Sequence, residues 1–311
     1  MCSSDLGKGP WLNRFVALLL FVTLVWGTTF PLLKGLIHAL SGVEISALRF
    51  LLAAACMLPF AWRLPRHTWR DGALLGAIAL VSYVAQAFAL EYISSNRSAF
   101  LTSLNVLMVP LLGMLWGAAI APRVLFAAVL ACAGIGLMSW EGGANLIGDA
   151  ATVLCALAYA LYVILLSQRS GAHQARGLAA AQIVFMALFS ALWLATTGPF
   201  QAGPALLERA APHWGALLYL GVVATAGMLL LQAVGQRHVT ADKAAVIFAM
   251  EPVFAALWGW FLIDESLGPR AAIGGAVVVL ALILSERQPA AASDPAAPAD
   301  AAPAPASKGE A

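Results

Sequence analysis

Charged residues are scarce in this 311-residue chain. They make up 10% of it, whereas 62% of the residues are hydrophobic and the mean hydropathy is +0.87. Because a soluble domain carries about 25% charged residues, this composition excludes a soluble globular fold and predicts that almost the whole chain lies in a lipid bilayer. The net charge of +2 gives no indication of a nucleic-acid partner.

Residues that hold metals or form disulfides are also few. The four cysteines form no C-x-x-C pair, and three of them lie in apolar runs, so they are interpreted as small core residues. The five histidines all fall at the ends of apolar runs, and none pairs with another at metal-ligand spacing. We therefore expect no metal and no cofactor.

The motifs of membrane-embedded enzymes and pumps are missing as well. An intramembrane protease needs paired aspartates, a serine with a base, or H-E-x-x-H within its spans, but Glu251 is the one acid placed deep in a span. No G-x-x-x-x-G-K-[ST] sequence is present, which excludes ATP hydrolysis by this chain as an energy source. A secondary transporter and a passive facilitator, which differ only in coupling, remain, with an enzyme the less favoured alternative.

Long apolar runs are what the chain has instead. Ten segments reach the roughly 17–25 residues that a bilayer-spanning helix needs, and they are too long and too uniformly apolar for barrel strands. The sequence therefore predicts an all-α integral membrane protein with ten transmembrane helices. The predicted spans 1 to 10 are 15–37, 44–62, 71–91, 98–118, 122–140, 148–168, 177–197, 213–233, 242–263 and 268–285.

Both ends of the chain are excluded from the predicted bundle. Residues 287–311 are rich in alanine and proline, cannot bury a core, and are expected to be a disordered cytoplasmic tail. Residues 1–14 form a short N-terminal tail. Its first six residues are interpreted as artefactual, because the stretch from Cys2 to Leu6 is what the end of a common sequencing adapter would encode.

An internal repeat relates the two halves. The stretch "YISSNRSAFLTSLNVLMVPLL" from Tyr92 aligns with "HVTADKAAVIFAMEPVFAALW" from His238 at an offset of 146, which pairs Asn105 with Glu251. Residues 15–140 and 148–286 then hold five spans each. Since five is odd, the second half must cross the bilayer in the opposite sense, which gives two inverted five-helix repeats with a substrate site near the midplane.

Basic residues predict the orientation. With the N-terminus in the cytoplasm, 12 Lys and Arg residues fall inside and 5 fall outside, and the reverse orientation would invert that ratio. We therefore expect a multi-pass protein of the bacterial plasma (inner) membrane with both termini in the cytoplasm.

The sequence resembles an EamA-type member of the drug/metabolite transporter superfamily over about residues 14–286. The resemblance lies in "WGTTFPLLK" of span 1, "LRFLLAA" of span 2 and, most specifically, "MEPVFAALWGWFLIDE" of span 9. It implies ten helices in two inverted repeats and export of small metabolites, amino acids among them. Halves of this family often end their fourth span with a Gly-Glu pair. The second half has Asp264-Glu265 at this place, but the first half departs from the pattern, because "GAAIAPR" has no acid there.

Polar and aromatic side chains recur at helical spacing inside the spans, where they usually face a bundle interior or an aqueous cavity. Amphipathic aromatics with a few amides suit a small zwitterion or an aromatic metabolite. The predicted substrate-binding and translocation residues are Trp26, Tyr83, Gln86, Asn105, Tyr159, Tyr162, Gln232, Glu251, Pro252 and Trp258.

Structural interpretations stay open for several of these residues. Gln86 and Gln232 would equally serve as hydrogen bonds between helices. Lys34 and Arg49 are expected to extend to the outer headgroups, with attraction of a substrate carboxylate as the alternative. Four glycines are predicted to be close-packing residues: Gly134, Gly136, Gly274 and Gly275.

Glu251 and Pro252 combine two costly features about ten residues into span 9. An ionised carboxylate near the midplane costs roughly 2.5–3.5 kcal/mol, and proline leaves the carbonyl of Phe248 without its helical partner. A kink that opens a polar pocket is expected here. Glu251 would then line the substrate site and carry a coupling proton or meet the substrate's amine; a neutral, hydrogen-bonded structural role is the alternative.

The orientation can be tested by cysteine labelling in intact cells. A membrane-impermeant thiol reagent should modify a cysteine introduced at Asn145, which is predicted to lie outside, but not one at Ala172. The opposite labelling pattern would contradict the predicted topology.

Overall fold

The computed structural model describes residues 14–115, 117, 120–139, 145–197, 204–263 and 268–286, and over these ranges the chain is helical without strands. Both predicted tails, Trp140 and the Asp264-Glu265 pair lie outside the described residues. The helices are α1 (Arg14–Gly27), α2 (Thr29–Leu36), α3 (Gly42–Met57), α4 (Arg66–Ala89), α5 (Ser95–Thr102), α6 (Asn105–Leu115), α7 (Pro122–Ser139), α8 (Leu146–Ser170), α9 (Ala175–Thr197), α10 (Pro204–Ala210), α11 (Trp214–Leu218), α12 (Met228–Gly235), α13 (Ala241–Phe248), α14 (Glu251–Ile263) and α15 (Pro269–Glu286).

These helices account for the ten predicted spans. Seven helical segments of the described chain are long and apolar enough to cross a membrane, and two shorter apolar helices lie within α7 and α15. The remaining predicted span is α13 followed by α14. The prediction of an all-α membrane protein with ten transmembrane helices is confirmed.

Four spans depart from a continuous α-helix. Span 1 breaks at Thr28, where Pro31 lacks an N–H and its ring opposes the carbonyl of Gly27. Span 4 breaks at 103–104 and span 9 at 249–250. Span 8 is wound as a π-helix over Tyr219–Gly227, a form that often marks functional sites. The segment that leads into span 8 is also helical, as α10.

The breaks in spans 4 and 9 occur at corresponding positions. α5 ends at Thr102 and α13 at Phe248, while α6 begins at Asn105 and α14 at Glu251. Each pair is separated by 146 residues, the offset predicted from the sequence repeat. Asn105 and Glu251 therefore both begin the second half of a discontinuous helix.

Helices in corresponding positions of the two halves pack against each other. α7 packs against α15, α3 against α9, and α6 against α13. Other contacts recur in the two halves. The contact of α4 with α8 corresponds to the contact of α12 with α1, and the contact of α6 with α8 corresponds to the contact of α14 with α1. The largest fully buried side chains of the described residues include Tyr162, Phe30, Phe50 and Phe248.

Glycine allows a close approach between α7 and α15. A Cβ at Gly134 would lie 2.7 Å from the Gly274 carbonyl oxygen and 3.0 Å from the Val277 Cβ. A Cβ at Gly136 would meet only the Phe100 ring, at 3.4 Å. The predicted close packing is therefore confirmed at Gly134, and Gly136 lies in an ordinary contact.

This difference predicts opposite effects of two neighbouring alanine substitutions. Gly134→Ala and Gly136→Ala each gain up to about 1 kcal/mol of helix propensity, but Gly134→Ala adds overpacking of about 1–3 kcal/mol. In thermal unfolding of the purified protein in detergent, Gly136→Ala should match or exceed the wild-type midpoint, and Gly134→Ala should fall below it. Equal midpoints for the two variants would contradict the α7–α15 contact.

Candidate functional site

A polar cavity lies inside the helix bundle where the discontinuous helices meet. Its volume is about 30 Å³, which is room for water but not for a metabolite. Most of its lining side chains are buried, whereas Tyr83 and Glu251 are half-buried. The lining residues are Trp26, Thr29, Arg49, Ser82, Tyr83, Gln86, Thr102, Cys155, Tyr159 and Glu251.

The break in span 1 positions two of these side chains. Trp26 lies in the last turn of α1, and its indole Nε1 donates to the Ala224 carbonyl in the π-helical segment at 2.8 Å. The Thr29 hydroxyl begins α2 and donates back to the Trp26 carbonyl at 2.8 Å. The break therefore satisfies its own exposed carbonyl while fixing a tryptophan on the cavity wall.

Arg49 is the cation of the cavity. It is 3% exposed, its Nε donates to the Thr225 hydroxyl at 2.6 Å, and its guanidinium lies 4.6 Å from the centroid of the Tyr83 ring. Gly221 permits this approach, because a Cβ there would lie 2.9 Å from the Arg49 carbonyl oxygen. The expectation that Arg49 extends to the headgroups is wrong, since it lies seven residues into α3 with a hydrogen-bond partner inside the bundle.

The π-helical turn supplies that partner. The Thr225 hydroxyl donates to the Leu220 carbonyl five residues earlier, at 2.7 Å, while it accepts from Arg49. A buried hydrogen bond to a charged group contributes roughly 1.5–3 kcal/mol. The unusual winding of span 8 therefore aims a hydroxyl at the guanidinium.

Glu251 is the anion of the cavity, and it begins α14 rather than lying inside a helix. The expected kink is in fact a complete break, which places Pro252 in the first turn, where its missing N–H costs nothing. Both Glu251 and Arg49 line the cavity, yet among the described residues no ion pair within 4.0 Å joins them. The cavity thus holds a basic and an acidic side chain that form no direct ion pair with each other.

Three aromatic rings close one side of the cavity. The ring centroids of Trp26 and Tyr159 lie 6.1 Å apart, and Phe248 lies 5.7 Å from Trp26 and 5.8 Å from Tyr159. Behind them, Gln232 donates to the Tyr159 hydroxyl at 3.2 Å and to Gln236 at 2.9 Å. This aromatic cluster of Trp26, Tyr159 and Phe248 separates the cavity from the rest of the bundle.

The other predicted site residues lie outside the lining. Gln232 contacts the cavity through Tyr159, and the Tyr162 hydroxyl donates to Gln182 at 3.2 Å within the core. Asn105 donates to the Thr102 carbonyl at 2.8 Å and so satisfies the end of α5.

The last two predicted residues belong to α14. The Trp258 indole donates to the Leu24 carbonyl at 3.0 Å, on the contact between α1 and α14, and Pro252 is buried beside Glu251. The structure therefore brings Trp26, Tyr83, Gln86, Tyr159 and Glu251 into one cavity and leaves the other five predicted residues around it.

Ser82 and Cys155 line the cavity although the sequence did not predict them as site residues, and Arg49 lines it although the headgroup position was expected. The depth of Arg49 within span 2 was the available signal, because seven residues of α3 precede it and Glu44 is the one charged residue among them. Lys34, expected to share its role, binds the main-chain carbonyls of Leu90 and Ile93 at 2.7 and 3.1 Å, at the end of α4. Lys34 therefore caps a neighbouring helix.

A ten-helix bundle with discontinuous helices around a polar cavity is the architecture of secondary transporters. The chain belongs to the EamA-like transporter family, which matches residues 13–140 and 146–286. It is therefore a multi-pass membrane transporter.

Relatives with transporter names span nearly the whole chain. An "uncharacterized transporter" of Archaeoglobus fulgidus is 28% identical over 86% of this chain and 83% of its own length. The "uncharacterized transporter YwfM" of Bacillus subtilis is 27% identical over 89% of this chain and 95% of its own. A crystal structure with a TM-score of 0.70 covers 88% of this chain and 96% of that chain, and at 19% identity it shows the fold alone.

Replacing the hydroxyl that binds Arg49 should lower stability more than removing a matched buried hydroxyl. Thr225 and Thr152 are both 0% exposed and both donate to a helical carbonyl, but only Thr225 accepts from a guanidinium. Thr225→Val should therefore reduce the unfolding free energy by about 1.5–3 kcal/mol and Thr152→Val by less than half as much. Thermal unfolding of both variants in detergent measures this, and equal losses would contradict the assigned contact.

Proposed function

We propose that this transporter exports small zwitterionic metabolites, amino acids among them, across the bacterial plasma membrane by alternating access. The observation that carries the proposal is the presence of Arg49 and Glu251 in one buried cavity with no ion pair between them. An ionisable side chain inside a membrane protein is costly, and such residues usually serve a substrate or an ion.

A zwitterion would compensate both charges at once. Its carboxylate suits the guanidinium of Arg49, which offers several donors in a fixed plane. Its ammonium suits the carboxylate of Glu251. Tyr83, Tyr159 and Trp26 supply aromatic surface for the remainder of the molecule and for its cationic group.

The small volume of the cavity supports alternating access over an open pore. Small-molecule sites usually measure about 300–1,000 Å³, far more than the 30 Å³ found here, so substrate entry requires the helices to move apart. The paired breaks in spans 4 and 9 offer hinges at equivalent places in the two halves. We propose that the halves are inverted repeats, which fits the matched packing of their helices.

Glu251 is proposed to couple transport to protons. A carboxylate that meets the substrate's amine in one state can take up a proton in the other, because protonation relieves part of the cost of burying the charge.

The predicted orientation, with both termini in the cytoplasm, would put the cavity in the outer half of the bilayer, since Arg49, Thr102 and Cys155 all lie within ten residues of predicted outer helix ends.

The variant Glu251→Gln tests this role because it keeps the shape and hydrogen bonding of the side chain but cannot ionise. The chain and its variants would be expressed in a bacterial host that lacks its own exporters, and release of a metabolite panel would be measured at several pH values. Glu251→Gln should insert into the membrane normally. Its efflux rate should fall at least tenfold, and any pH dependence of efflux should disappear. Glu208→Gln, which changes an exposed acid in α10, is the matched control and should behave as wild type.

Wild-type efflux with an unchanged pH profile in Glu251→Gln would reduce this residue to a structural one. If the wild-type protein still releases metabolites after a proton uncoupler is added, it would be a facilitator instead of a coupled transporter. Release of neutral or singly charged compounds in preference to zwitterions would contradict the proposed substrate class.

A further inference from the structure

A second and much larger cavity lies at one end of the bundle, remote from Arg49 and Glu251. Its volume is about 490 Å³, within the range usual for ligand sites. It is formed by two connections, the one between α3 and α4 and the one between α8 and α9, so both halves of the chain contribute to it. The lining residues are Pro59, Phe60, Trp62, Arg63, Leu64, Pro65, His67, Thr68, Ala172, His173, Gln174, Arg176 and Gly177.

Positive charge dominates this end cavity. Arg63 and Arg176 line it, and among the described residues neither forms an ion pair. The nearby acid, Asp71, is already engaged, because Arg169 binds one of its oxygens and His173 Nε2 donates to the other at 2.8 Å. No free carboxylate from Asp71 is left to neutralise the two lining arginines.

Several buried contacts hold the cavity wall in place. His173 is 6% exposed, and its Nδ1 can accept from the Thr68 hydroxyl at 3.0 Å while its Nε2 donates to Asp71. The His67 ring stacks on it with centroids 5.1 Å apart. Arg63 has a left-handed φ of 59°, a conformation that costs a non-glycine residue roughly 1–2 kcal/mol.

Two long helices begin at this cavity. α4 starts at Arg66 after Pro65, whose side chain forms no cap, and α9 starts at Ala175. The first N–H groups of a helix have no intrahelical acceptor and carry partial positive charge. The helix starts therefore add to the field of Arg63 and Arg176 and favour an anion.

Large apolar side chains are exposed at the rim of the cavity. Trp62 is 76% exposed, Leu58 62% and Phe60 43%, and they lie next to one another at the end of α3. Exposed aromatic residues at the end of a span mark the level of the lipid headgroups. A ligand here would have an anionic head in the cavity and hydrocarbon along this rim.

We propose that the end cavity binds the phosphate headgroup of an anionic phospholipid, with its acyl chains along Leu58, Phe60 and Trp62. Arg63 and Arg176 bind the phosphate from opposite halves of the chain. The lipid thereby joins the α3–α4 connection to the α8–α9 connection. Basic pockets between membrane helices bind acidic headgroups in this manner, and the apolar rim favours a lipid over a soluble anion.

The experiment compares two double variants that remove the same charge from the same end of the protein. Arg63→Gln with Arg176→Gln removes the lining arginines, whereas Arg66→Gln with Arg70→Gln removes two exposed arginines that do not line the cavity. Purified full-length protein in neutral detergent would be titrated with phosphatidylglycerol or phosphatidylcholine. Retained lipid would be counted by native mass spectrometry, and thermal midpoints would be recorded.

Wild type and the Arg66/Arg70 variant should retain phosphatidylglycerol in preference to phosphatidylcholine and be stabilised by it. The Arg63/Arg176 variant should bind phosphatidylglycerol at least tenfold more weakly. Equal weakening in both variants would overturn the proposal, because only general surface charge would then be involved. Failure of wild type to prefer phosphatidylglycerol would overturn it without any variant.

A further arm separates the lipid from a soluble anion. Sodium phosphate and glycerol phosphate would be added to delipidated wild-type protein at the same phosphate concentration. If the lipid is the ligand, neither should raise the thermal midpoint as phosphatidylglycerol does. Equal stabilisation by free phosphate would show a soluble-anion site and contradict the lipid assignment.

Discussion

A guanidinium buried inside an apolar bundle is the constraint on which the rest of the site depends. Arg49 must find hydrogen-bond acceptors away from water, because an unpaired charge there costs several kcal/mol. The π-helical turn at Thr225, the small Gly221 and the face of the Tyr83 ring each serve that need. The packing of α3 against span 8 accommodates the guanidinium, and the cavity beside it lies among spans 1, 2, 3, 4, 6 and 9.

The breaks in the helices are the second feature on which the site depends. A continuous helix consumes its own main-chain polar groups, whereas a break frees carbonyls and places a side chain at the start of a new helix. Asn105 uses its amide to satisfy one such carbonyl, and Glu251 occupies the equivalent place in the other half with a carboxylate instead. The same geometry thus serves structure in the first half and presents a charge to the cavity in the second.

The spans and the repeat offset could be predicted from sequence, because hydropathy and length nearly determine a membrane helix. The breaks at 103–104 and 249–250 follow that offset, yet only the second is signalled by a proline. Arg49 was misassigned because a basic residue in the first half of a span is expected to extend its side chain to the lipid headgroups. Its partner Thr225 lies 176 residues away in the sequence. Contacts between residues so far apart in the sequence depend on how the helices pack together, and the periodicity of a single helix does not reveal that packing.

Protection of Cys155 by substrate tests most directly that the cavity of Arg49 and Glu251 binds a zwitterion. Cys155 lines that cavity and is 1% exposed, so a variant with the other cysteines replaced by alanine reports on it alone. Its alkylation during transport would be timed with a zwitterionic substrate, and with analogues lacking the amine or the carboxylate. The zwitterion should slow alkylation of Cys155 at least tenfold more than either analogue does. Efflux of the zwitterion without any protection of Cys155 would contradict it.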